Sequence, residues 1–122
     1  MARKIAAAFA LVALLTASAP VRAHAFLDHS DPAVGSTVPT SPDVMHLWFT
    51  QQLEPAFSSV TITDKSGTTV NDGPASVDPN DSSELDVKLK PLPAGTYKVK
   101  WHVLSVDTHT TEGDFTFNVR GG

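Results

Sequence analysis

Gly95-Thr96-Tyr97-Lys98-Val99-Lys100-Trp101-His102-Val103 is the stretch that decides the fold. Apolar and polar residues alternate along it with a period of two, the period of a β-strand and not of a helix. Tyr97, Val99, Trp101 and Val103 share one face; Lys98, Lys100 and His102 share the other. Outward from this stretch the same pattern recurs. Leu85-Asp86-Val87-Lys88-Leu89 alternates cleanly, and Asp114-Phe115-Thr116-Phe117-Asn118-Val119 does so to the end of the domain. Val60-Thr61-Ile62-Thr63 and Met45-His46-Leu47-Trp48-Phe49 are further cases, the second approximate and preceded by Val44. Asp64-Lys65-Ser66-Gly67 is a turn, and Lys90-Pro91-Leu92-Pro93-Ala94-Gly95 a tight link into the longest strand. Nine prolines and seven glycines break the chain and leave little room for helices. Short strands at this spacing predict an all-β sandwich or barrel. Its core is expected to hold Leu47, Phe49, Ile62, Leu85, Val87, Leu89, Tyr97, Val99, Trp101, Val103, Phe115, Phe117 and Val119. Val70 to Ser83, rich in turn formers and without a periodic pattern, reads as a long connection between two strands.

Residues 1–23 do not belong to this pattern. Arg3 and Lys4 precede a short apolar run through Ile5, Phe9, Leu11, Val12, Leu14 and Leu15, and Ala23 supplies a small residue at a cut, as in a secretory signal peptide. The run is short for a membrane span. The domain is therefore expected over residues 24–122, exported to the periplasm or secreted. Two cuts fit the small-x-small rule: Val21-Arg22-Ala23, which leaves His24 first, and Ala23-His24-Ala25, which discards it. Removal of Arg3, Lys4 and Arg22 leaves six basic residues against thirteen acidic ones, a balance of −7. Such a surface repels phosphate backbones, so nucleic acid is not an expected partner. There is no cysteine, which excludes disulfides and thiolate metal sites.

Of the five histidines, His46 and His102 lie inside alternating strands, on the faces opposite Leu47 and Trp101, and read as ordinary, partly exposed residues. The three glutamates, Glu54, Glu84 and Glu112, are scattered without a visible partner. Asp107-Thr108-His109 differs. It follows the longest strand, and in an extended segment the two outer side chains project to one side. Imidazole suits Cu, Zn or Ni. His24, if first in the processed chain, adds its α-amine and its imidazole as a chelate; the amine has a reference pKa of about 8 and loses its proton readily. With His109 and Asp107 this makes an N,N,N,O set, which favours tetragonal Cu(II), the head of the divalent affinity order. A soft Cu(I) site has no ligands: Met1 leaves with the leader and Met45 stands alone. His29 is a possible accessory ligand, or a solvated residue among aspartates. No nucleophile triad or paired catalytic carboxylates can be made out, so an enzyme is not expected.

At these residues the chain resembles the CopC/PcoC periplasmic copper-resistance proteins. Ser30-Asp31-Pro32-Ala33-Val34-Gly35 resembles their S-x-P-A-x-G opening, and Leu47 to Ser58 their F-S-E segment, with Gln51 in place of the glutamate. Leu92 to Trp101 is similar to L-P-A-G-x-Y-x-V-x-W, Ser105-Val106-Asp107-Thr108-His109 to S-x-D-x-H, and Gly113 to Phe117 to G-x-F-x-F. The resemblance implies a seven-stranded Greek-key sandwich, immunoglobulin- or cupredoxin-like. It also implies one Cu(II) ion on His24, Asp107 and His109, and a monomer that passes copper to a CopD-type inner-membrane protein. Two other classes stand beside this one: a copper-dependent oxidative enzyme with a histidine brace, and a metal-free immunoglobulin-like adhesion or assembly module.

Overall fold

The computed structural model describes residues 25–121. Two four-stranded sheets pack face to face. The first has the order β1 (Leu27–Asp31), β3 (Val44–Phe49), β6 (Asp81–Lys88), β5 (Ser76–Asp78). The second has the order β2 (Thr37–Val38), β8 (Thr110–Val119), β7 (Gly95–Leu104), β4 (Ser59–Thr63). All pairings are antiparallel except that of β2 with β8. Leaving β2 aside, this is the four-plus-three strand arrangement of an immunoglobulin-type sandwich.

The period-two stretches become the inner faces. Met45, Leu47 and Phe49 of β3 and Leu85 and Val87 of β6 meet Val60 and Ile62 of β4, Tyr97 to Val103 of β7, and Phe115, Phe117 and Val119 of β8. Every residue expected in the core is buried. A side chain as large as Phe117, removed fully from water, contributes on the order of 1.5–3 kcal/mol. The Phe49 ring meets Trp101 edge-on, with centroids 5.2 Å apart, and ties the two sheets together at one end. At the other end the Tyr97 hydroxyl donates to the Pro93 carbonyl at 2.6 Å, a tyrosine corner that closes the link into β7.

The described residues form eight strands, one more than expected. The opening strand is divided: β1 pairs with β3 in one sheet, and β2 continues the course beside β8 in the other. Pro32 has no N–H to give to a ladder, and Gly35 takes φ 71°, so the chain crosses between the sheets over these residues. Strand β1 escaped the alternation test because it is an edge strand with mostly exposed side chains, held by backbone pairing. Val70 to Ser83 is likewise more than a connection. It contains β5 and the start of β6, which pair as a hairpin. Asn71 fastens its beginning to β4, accepting from the Ile62 N–H at 2.8 Å and donating to the Val60 carbonyl at 2.8 Å.

Candidate metal centre

The β7–β8 ladder runs for ten pairs and ends at Leu104 opposite Thr110. The five residues between them form a tight loop. The Ser105 N–H donates to the His109 carbonyl at 3.0 Å, and the Thr108 N–H to the Ser105 carbonyl at 2.9 Å. Thr108 sits at φ 70°, a left-handed position that costs a β-branched residue about 1–3 kcal/mol. Asp107 and His109 thus come together through a turn, not through the extended segment expected from their spacing. Their Oδ1 and Nδ1 atoms lie 3.5 Å apart, and both side chains are open to solvent.

Ser105 organises the loop from below. It is fully buried, its hydroxyl donates to the Asp107 carboxylate, and its oxygen accepts from the His109 N–H at 3.3 Å. The Ser105 hydroxyl, with a smaller contribution from the His109 imidazole, holds the Asp107 carboxyl below the usual carboxylate range. Asp107 is therefore an anionic oxygen donor throughout the neutral range. One carboxylate oxygen and one imidazole nitrogen at this separation suit two corners of a coordination sphere around a divalent ion.

His24 lies outside the described residues. Its neighbour Ala25 is fully buried, and the Ala25 carbonyl accepts a hydrogen bond from the Thr111 hydroxyl, two residues beyond His109. Phe26 and Thr50 lock the next step, with the Phe26 N–H donating to Thr50 Oγ1 and the Thr50 N–H to the Phe26 carbonyl, each at 2.9 Å. Gln51 follows Thr50 directly, and the Gln52 carbonyl accepts from the Val106 N–H at 3.0 Å. The start of the domain, the segment carrying Gln51 and the Asp107–His109 loop all meet at one end of the sandwich.

The other histidines separate clearly. His102 is exposed in β7, opposite Glu112. His29 stacks on Trp48, with centroids 4.4 Å apart, and its Nδ1 lies 2.7 Å from Asp28 Oδ2, so it belongs to the outer face of the first sheet. His46 and Glu84 are not the isolated residues their sequence positions suggested. His46 Nδ1 lies 2.7 Å from Asp86 Oδ1 and 3.1 Å from Glu84 Oε2, and the Trp48 indole N–H donates to Glu84 Oε1 at 2.9 Å. Burial, followed by a hydrogen bond with Glu84, pushes the Asp86 carboxyl up to about 6. Burial lowers the His46 pKa, but hydrogen bonds and charges from Asp86 and Glu84 outweigh it, so the net direction is up. The parity of β6 did hold a signal: with Leu85 and Val87 inward, Glu84 and Asp86 must point outward. Their pairing with β3 is a tertiary fact.

The described residues form an immunoglobulin-like β-sandwich that brings Ala25 and the Asp107–His109 loop to one end. The chain belongs to the CopC domain family, whose family model matches residues 27–120. YobA of Escherichia coli (strain K12) is 37% identical over 120 residues, covering 98% of this chain and 97% of that protein. Copper resistance protein C of Xanthomonas campestris pv. juglandis is 34% identical over 124 residues, covering 97% of each. The crystal structure of CopC from Methylosinus trichosporium OB3b superposes with a TM-score of 0.75 at 36% identity, covering 80% of this chain and 95% of that one.

Proposed function

We propose that the chain is an exported copper-resistance protein that binds one Cu(II) ion. In this reading a signal peptidase removes residues 1–23, and the new α-amine and ring nitrogen of His24 chelate the ion. Asp107 and His109 complete the set. The observation that carries the proposal is the tether between Ala25 and Thr111, which holds the position after His24 beside the strand that begins just beyond His109. A single peptide bond joins His24 to the tethered residue. The relatives named copper resistance protein C support the choice of metal. Copper is the cargo, and the protein buffers it or hands it to a CopD-type membrane importer. The acidic balance of the processed chain suits a carrier of cations.

The test is chemical. The protein recovered after export should have the mass of residues 24–122 and bind one equivalent of Cu(II). One extra residue before His24 removes the free amine from the chelate and should abolish tight binding. Equal affinity in the extended protein would remove the proposal. Ascorbate-driven turnover on a polysaccharide would point to an oxidative enzyme instead. Absence of any Cu(II)-induced rise in melting temperature would leave a metal-free module, since a ligand held by the folded state must stabilise it.

A further inference from the structure

On the outer face of the first sheet, away from the Asp107–His109 loop in the other sheet, three metal-ligating side chains already point at one another. His46 comes from β3, and Glu84 and Asp86 from its neighbour β6. One donor atom from each falls within 4.8 Å of the other two. The two His46 distances, 2.7 Å to Asp86 and 3.1 Å to Glu84, are hydrogen-bond distances, so the three donors need only separate to the roughly 3.3–3.6 Å between adjacent ligands of a tetrahedral ion bound at about 2.0–2.2 Å. We propose that His46 Nδ1, Glu84 Oε2 and Asp86 Oδ1 form a second divalent transition-metal site, independent of the one assigned above to His24, Asp107 and His109.

Four observations carry it. The donors stand on two paired strands, the rigid kind of support that keeps a ligand set in place. Glu84 is buried, and its other oxygen is held by the Trp48 indole N–H, the outer contact a ligating carboxylate needs. The His46 ring stacks on Trp48, with centroids 5.7 Å apart and planes 26° from parallel, which orients its Nδ1 towards the carboxylates. The charge is also out of balance. Glu84 and Asp86 face one imidazole, and Asp78 contacts Asp86 from β5, so the cluster stays negative even with His46 protonated. A divalent ion in place of the Nδ1 proton offsets two of those charges.

A groove of about 480 Å³ beside the cluster, lined by His46, Asp72, Ser76, Asp86 and Lys88, gives an ion and its remaining waters a way in. One nitrogen and two carboxylate oxygens with a position left open suit Zn(II), and Cu(II) shares the preference for imidazole.

Zn(II) is the probe. The exported protein carrying Asp107→Asn and His109→Gln is titrated with Zn(II) by equilibrium dialysis. Trp48 fluorescence and melting temperature are followed in parallel. The expected result is one Zn(II) per chain, a changed Trp48 signal and a higher melting temperature. Adding His46→Gln or, separately, Glu84→Gln should weaken Zn(II) binding by at least about tenfold and abolish the thermal shift. Both residues lie on the outer face, and unfolding of the apo variants confirms that each is folded. No Zn(II) binding in the Asp107→Asn/His109→Gln protein overturns the proposal. So does binding that neither His46→Gln nor Glu84→Gln alters. The extra-residue experiment at His24 leaves this result untouched, so the two sites fail or stand separately.

Discussion

The Thr111 hydroxyl donates to the Ala25 carbonyl, joining the first described residue of the domain to the strand that leaves the Asp107–His109 loop. Residues 86 positions apart in the chain are thereby held in contact. The tether should matter more to the ion than to the fold. Thr111→Val keeps the shape and removes the donor, at a cost of about 1 kcal/mol. If the chelating residue depends on this anchor, Cu(II) affinity falls roughly five- to tenfold, as read by competition with a chromophoric chelator. Unchanged affinity would mean the tether does not position the chain start.

Ser105 should affect both stability and metal. It is fully buried, with its hydroxyl on Asp107 and its oxygen under the His109 N–H. Ser105→Ala removes both partners at once. Urea unfolding is expected to show a loss of about 1–3 kcal/mol, and Cu(II) affinity should drop with it as the loop loosens.

Gly113 faces Trp101 across the β7–β8 ladder. A Cβ there would stand 2.5 Å from Trp101 Cζ2 and 2.9 Å from Cε2. The indole cannot yield easily, because it is buried and packed against Phe49. Gly113→Ala should therefore destabilise the fold by about 1–3 kcal/mol, measured as a lower urea midpoint with an unchanged slope.

Asp64 gives a pH prediction. It accepts from the Ser66 hydroxyl at 2.7 Å, the Ser66 N–H at 2.9 Å and the Thr68 N–H at 3.0 Å in the turn after β4. The Ser66 hydroxyl, then the Thr68 N–H, lowers its carboxyl below the reference 3.8. A depressed folded-state value means that the contribution is present above 3.8 and is lost as pH falls through the lower folded value. Asp64→Asn should thus be less stable than the parent at pH 7, and the gap should close below 3.8. A gap that stays constant down to pH 2 would contradict the assignment.

Much of this protein was legible before any coordinates. Period-two alternation identified five strands and all thirteen expected core residues, because a strand buried on one face must place its apolar side chains two apart. Ligand chemistry and spacing singled out Asp107 and His109 as a candidate pair, and their side chains lie 3.5 Å apart. The structure corrected how they converge: Thr108 in a left-handed conformation turns the chain, which side-chain spacing in an extended segment does not reveal. Strands β1 and β5 and the first half of β6 (residues 81–84) carried too little alternation to be seen; β1 and β5 are the two edges of the first sheet and are held largely by backbone pairing.

Sequence alone determined the strand periodicity, the inward residues and the absence of thiolate ligands, because these follow from composition and local geometry. Only the tertiary structure decided which distant groups meet. That Thr111 reaches Ala25, and that His46 lies between Glu84 and Asp86, depends on strand order and register. Those are set by how two sheets bury a shared core, and no local run of residues contains them.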